Sequence, residues 1–236
     1  MQDFFMGFVS ILIYFVICAS SAFVLRLTVK MPDEVFRKIL HAILLGSLAV
    51  WVVAFPNWWM TAVSAVVFAV LVYPMLWAAE RWKGYSRMVT ERKSGELKSS
   101  LLIVFFMFAA VVSVCWGFLG DKWLALASIY AWGFGDAAAA LIGKRFGKHK
   151  IGGKKINGRK SWEGTAAMFA VSFVSVFVIL MFRGGMPWYA CAVIALATAL
   201  VSATVELFTL NGIDTITCPM AAMAVLLPLV YLFGGM

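Results

Sequence analysis

The sequence predicts an all-α, polytopic transmembrane bundle of about eight spans, and three observations carry that expectation. Of the 236 residues, 64% are hydrophobic and 13% charged, whereas soluble domains are about 45–50% apolar. Mean hydropathy is +0.95. The apolar residues fall in runs close to the roughly 17–25 residues that a helix needs to cross a bilayer, and the charges collect between the runs. We expect one integral membrane domain over residues 1–236.

The first run, residues 4–25, follows Asp3 and precedes Arg26 and Lys30. It lacks the basic leader and short core of a cleaved signal peptide, so it reads as a retained helix. The second, residues 39–55, is short. The third to seventh are residues 58–79, 101–119, 123–143, 164–182 and 188–207. The eighth, residues 216–233, contains Pro219 and Pro228; proline removes a helix hydrogen bond, which leaves seven spans with a re-entrant end as the other reading. Trp58, Trp59, Trp77, Trp82, Trp116, Trp123, Trp162 and Trp188 fall near span ends, as interfacial aromatic rings do. Cys18, Cys115, Cys191 and Cys218 lie in or beside the spans without CxxC or His spacing, so they read as small apolar residues and not as a disulfide or zinc framework.

All but two of the twenty basic residues, Lys122 and Arg183, fall in the first, third and fifth connections. By the positive-inside rule those connections are cytoplasmic, and with eight spans both termini face outward. The net charge of +9 resides in short juxtamembrane loops with no module to present them to nucleic acid. Anionic headgroups and a phosphate-bearing ligand are the expected partners, with no nucleic acid.

Acids decide the chemistry. Asp136 lies inside the fifth run, Glu163 opens the sixth, Glu206 closes the seventh and Asp214 follows it. An ionised carboxylate near hydrocarbon is costly, so it is paired, hydrated or functional. By the topology above all four lie on the cytoplasmic side. Between Asp136 and Glu163 runs a glycine-rich basic loop. Hard oxygen ligands beside such a loop suit a magnesium-bound nucleotide: carboxylates hold Mg²⁺, and Lys144, Arg145, Lys154 and Lys160 neutralise phosphates. Ion pairs of Asp136 and Glu163 with Lys144 or Arg145 are the plain structural alternative.

Gly135, Ala139, Gly143 and Gly147 recur every four residues, a small-residue ridge for close helix packing. Gly152, Gly153 and Gly158 permit backbone N–H groups to face an anion. Ser161 is a plausible N-cap of the sixth helix, whose N-terminus favours phosphate. The spacing from Gly153 to Lys160 does not fit a Walker A loop, and no strand precedes it.

Two further segments enter the site. Arg37 and Lys38 lie four and three residues before His41, on its side of a helix, which makes a phosphate-facing trio or a satisfied interfacial histidine. In the third connection, Glu91 to Lys98 reads as a solvated charged surface, from which Glu96 stands out by its closeness to the fourth span. His149 reads as solvated.

The pattern RKxxH (Arg37, Lys38, His41), Glu96, GDxxAxxxGxxxG (Gly135, Asp136, Ala139, Gly143, Gly147), KSxEG (Lys160, Ser161, Glu163, Gly164) and a late Glu206, Asp214, Pro219 element resembles the polyprenol kinase group. That group takes in dolichol kinases, phytol kinases and CTP-dependent diacylglycerol kinases. The resemblance runs from the second span to the eighth. Its GD and KSxEG block is fairly specific, RKxxH alone weakly so. Members commonly have Asp-Asn where this chain has Asp214-Thr215; a hydroxyl can accept or donate one hydrogen bond but lacks the carboxamide's reach. The resemblance implies transfer of the terminal phosphate of CTP, or of another nucleotide in some members, to the hydroxyl of a membrane lipid.

On that reading Asp136 and Glu163, with Glu206, Asp214 or Glu96, are the metal-ligand candidates. Arg37, Lys38, Lys144, Arg145, Lys154, Lys160 and Ser161 face the nucleotide. The acceptor hydroxyl is oriented or deprotonated by a carboxylate or by His41, and the sequence leaves both open. The rival enzyme, a phosphatidate cytidylyltransferase of the CDP-diacylglycerol synthase type, carries HGG and DRxD strings absent from this sequence. An ion-coupled transporter needs polar groups spread through the membrane depth. Short loops and no targeting extension point to a bacterial-type inner membrane.

Overall fold

The computed structural model describes residues 2–81, 85, 95–152, 160–209 and 212–235. Among them it is all helical apart from one isolated bridge between Lys150 and Ser161. Eight helices are each long and apolar enough to cross a membrane, and the protein is an integral membrane protein. They are α1 (Gln2–Thr28), α2 (Asp33–Ala54), α3 (Trp58–Ala79), α4 (Glu96–Val112, continued by the π-helical Ser113–Phe118), α5 (Lys122–Phe146), α6 (Trp162–Arg183), α7 (Trp188–Phe208) and α8 (Asp214–Leu232). The eighth run is therefore a continuous helix through Pro219 and Pro228, not a re-entrant end.

The short second run lengthens for a physical reason. Pro32 stands at the N-cap of α2, and Asp33 and Glu34 occupy its first turn, where acids suit the helix dipole. Arg37 and Lys38 are thus inside the helix, and their long side chains remain compatible with a span end.

The chain divides into two compact units, Met1–Ser113 and Val114–Met236. In the first, α1 packs on α2 and α3 on α4. Its core is aromatic: Phe15 and Phe68 stack at 4.7 Å between ring centroids, and Phe105 meets Trp51 at 4.7 Å and Phe68 at 5.4 Å. The indole of buried Trp51 donates to Ser64 Oγ at 2.9 Å, which satisfies its one polar atom.

In the second unit α5 packs against α6 and α8, α6 against α7, and α7 against α8, a four-helix ring. Its tightest contact is the seam between α5 and α6, where the small-residue ridge does its packing. A Cβ on Gly164 would stand 3.0 Å from Ala139 O and 3.3 Å from Gly143 Cα, and one on Gly135 would stand 2.5 Å from Ser172 Oγ. The Ser172 hydroxyl donates across the seam to Ala131 O. Gly164→Val is therefore expected to force the two helices apart. A loss of about 1–3 kcal/mol, read as a lower melting midpoint in detergent, is the expected result; an unchanged midpoint would contradict this packing.

Candidate active site

At one end of the second unit the sequence converges on itself. The basic loop leaves α5 at Gly147 and returns to α6 through a short neck, in which Ile151 N donates to Lys160 O and Trp162 N to His149 O, each at 3.0 Å. Ser161 is the N-cap of α6: its buried Oγ accepts from Gly164 N at 3.2 Å. Lys154, placed by sequence among the nucleotide ligands, lies outside the described residues, as do Gly153 and Gly158. Lys144 and Arg145 are exposed in the last turn of α5, where their charge also complements the helix dipole.

Glu163 faces this neck. Its carboxylate accepts from the backbone N–H groups of Lys148 at 3.2 Å and His149 at 3.1 Å, and lies 2.7 Å from His149 Nδ1. His149 is 78% exposed, yet it is anchored and not merely solvated. Glu163 thus pins residues 148–149 to the start of α6. Glu163→Gln is expected to speed tryptic cleavage after Lys148 severalfold without Mg²⁺; equal cleavage in mutant and native protein would show that the carboxylate does not hold the neck.

One turn away, three acids share a field. Glu206, at the end of α7, feels the charges of Lys160, Asp136 and Asp214; Asp214, opening α8, feels those of Asp136 and Lys160. Glu206 Oε1 lies 3.0 Å from Lys160 Nζ, with the side chains 13% and 16% exposed. The same ammonium donates to Thr209 O at 3.0 Å and to Glu206 O. Lys160 therefore caps the C-terminus of α7, supplying donors to carbonyls that the helix leaves without them. Trp132, buried one turn before Asp136, directs its indole N–H to Asp214 Oδ2 at 3.4 Å. Residues four apart share a helix face, so Asp136 and Trp132 both look toward the start of α8. The structure brings together Asp136, Glu206, Asp214 and Lys160, with Ser161 and Glu163 on the adjoining neck.

The remaining predicted residues belong to the first unit. Arg37 lies 3.7 Å from Glu34 and 3.8 Å from Glu96, so Arg37 of the α2 trio and Glu96 are ion-pair partners. Lys38 is buried at 9% exposure and His41 is half-buried on the same helix. A neighbouring pair escaped sequence reasoning: Lys98 and Glu80 meet at 2.5 Å, each side chain 15% exposed, with Tyr73 beneath the ammonium.

Comparisons with known proteins identify the family. The chain is 32% identical over 201 residues to a phytol kinase of Synechocystis sp., covering 81% of this chain and 77% of that protein. The chain belongs to the polyprenol kinase family. A probable chloroplastic phytol kinase of Triticum aestivum is 28% identical over 142 residues, 57% of this chain and 45% of the wheat protein. No family model matches the chain. No solved structure matches it either.

A polyprenol kinase needs a phosphate donor, and the acid cluster bears on how a metal brought with that donor would be held. Among the described residues no group of three or more His, Cys, Asp or Glu side chains forms a metal cage. Mg²⁺ delivered with a nucleotide needs none, because one or two carboxylates suffice when phosphate oxygens and water complete the octahedron. Asp136, Glu206 and Asp214 are hard oxygen donors of the right kind, and the residues fit that mode of binding. Two features of the cluster were missed in the sequence: the Trp132 indole on Asp214, and Lys160 as the cap of α7. Trp132 carries a signal, lying four residues before Asp136; for Lys160 no local signal exists.

Proposed function

We propose that residues 1–236 act as one lipid-kinase domain, transferring the terminal phosphoryl group of CTP to the hydroxyl of a membrane isoprenoid alcohol of the phytol class. The convergence of Asp136, Glu206 and Asp214 beside Lys160, in a chain homologous over most of its length to a phytol kinase, is the observation that carries this reading. Family membership makes the chain a lipid alcohol kinase; donor base and acceptor are the proposal. Acceptor oxygen attacks the γ-phosphorus, the bond from that phosphorus to the bridging oxygen breaks, and the nucleoside diphosphate leaves. The hydroxyl proton passes to a carboxylate.

Phosphoryl transfer depends mainly on in-line positioning and charge stabilisation. Asp136 and Asp214 would hold Mg²⁺, which would supply charge neutralisation on the phosphates. Asp136 also orients the acceptor hydroxyl. Glu163 keeps residues 148–149 against α6, and phosphate binding is assigned to Lys144, Arg145 and the Ser161 cap, with Lys154 of the basic loop added from the sequence. Arg37, Lys38 and His41, with Glu96 as an ion-pair partner of Arg37, are assigned to phosphate binding on the family resemblance. The basic connections, and with them the site, face the cytoplasm of a bacterial-type inner membrane.

The test is a transfer assay on purified protein with γ-labelled CTP, UTP and ATP against phytol, longer polyprenols and diacylglycerol. Labelled phytyl phosphate from CTP is the expected product. No labelled lipid with any donor overturns the proposal, and label from ATP alone overturns the choice of CTP. Release of pyrophosphate with phosphatidate as substrate would identify the cytidylyltransferase instead.

A further inference from the structure

At the end of the second unit opposite the acids lies a cavity of about 500 Å³, lined among others by Trp116, Asp121, Lys122, Trp123, Arg183 and Gly185. It gathers both basic residues that the sequence places outside the basic connections. Their situations differ. Arg183 is fully engaged: its guanidinium donates to the Asp121 carboxylate, to Gly235 O, and to Gly184 O at 3.3 Å. Asp121 in turn caps α5, accepting from Trp123 N at 2.9 Å. That pair neutralises itself and braces the walls.

Lys122 has no carboxylate partner among the described residues; its ammonium lies 5.7 Å from the centroid of the Trp116 ring. Among the described residues the cavity therefore carries one positive charge that no carboxylate balances. Trp123 is 38% exposed at its rim; Phe118, between the lining residues Trp116 and Gly120, and Phe182, next to Arg183, are 85% and 77% exposed. Among the described residues, a polar cavity, a lysine without a carboxylate partner and an apolar skirt occur together at the ends of spans, the depth at which interfacial tryptophans and headgroup phosphates lie.

We propose that this cavity binds the phosphate of an anionic phospholipid headgroup, with Lys122 as its ligand and the acyl chains against the exposed aromatic skirt. The site is separate from the kinase centre and does not depend on it. An interfacial lysine that merely extends to water would show no preference for one headgroup over another; a cavity built around one cation would.

The experiment is lipid retention by the purified full-length protein, followed by native mass spectrometry, with phosphatidylglycerol and a chain-matched galactolipid, which lacks phosphate, as probes. Native protein is expected to retain phosphatidylglycerol preferentially. Lys122→Gln is expected to retain it about tenfold less, the size of one charge-assisted hydrogen bond, while Lys122→Arg keeps it and kinase turnover is unchanged in both. Equal retention by native protein and Lys122→Gln overturns the proposal. So does a thermal shift with soluble glycerol phosphate as large as with phosphatidylglycerol, which would make the cavity a site for free phosphate. Should Lys122→Gln fail to fold, the native protein decides, because equal retention of the two lipids ends the assignment.

Discussion

Asp136→Asn is expected to lower phosphoryl transfer about a thousandfold, the scale seen when one preorganised charge-stabilising group is lost, with the fold intact. The substitution keeps shape and hydrogen-bonding capacity and removes only the charge. Asp136 acts electrostatically on both Glu206 and Asp214, and a third acid within the field of two others costs the folded state energy unless a cation balances it. Its removal relieves repulsion. The expected signature is thus a pair of opposite effects: turnover collapses while the melting midpoint in detergent stays level or rises. Raising the Mg²⁺ concentration should recover part of the activity if Asp214 still engages the metal. Turnover within tenfold of the native protein would remove Asp136 from the reaction, and a collapse of turnover together with a lower midpoint would make its role structural.

The fold was legible because hydropathy is a property of each run by itself. Eight apolar runs became eight helices, and the differences lie at their ends. The second run was cut at Ile39 because Arg37 and Lys38 interrupt the hydropathy, yet α2 begins at Asp33, since Arg37 finds Glu34 and Glu96 as partners. Part of the site was legible for the same local reason. Acids inside or beside apolar runs are conspicuous, and Asp136, Glu206 and Asp214 do share one field. What each cation does depends on where another helix ends. Lys144 and Lys160 look alike in sequence, but Lys144 is exposed and Lys160 is taken up by α7. His149 looks like one more solvated loop residue until the neck brings it to Glu163. The division into two units was equally invisible, because its boundary at Ser113 lies inside one apolar run, residues 101–119.

Lys160→Gln separates the phosphate-ligand role expected from the sequence from the capping of α7 found in the structure. As a phosphate ligand the ammonium would be free to meet the nucleotide; in the structure it binds Glu206 Oε1 and the carbonyls of Glu206 and Thr209. Removing one member of a largely buried pair leaves the other charge uncompensated, which costs about 3 kcal/mol, and α7 also loses the donor on its terminal carbonyls. A marked drop in melting midpoint is therefore expected. The kinetics should follow from geometry: with Glu206 and the start of α8 released, the acids lose their register, and turnover falls more than nucleotide affinity does. The double variant Lys160→Gln, Glu206→Gln restores charge balance and is expected to recover most of the stability and little of the activity. A large rise in KM for the nucleotide at an unchanged midpoint would reverse the assignment, making Lys160 a phosphate ligand whose hold on α7 is incidental.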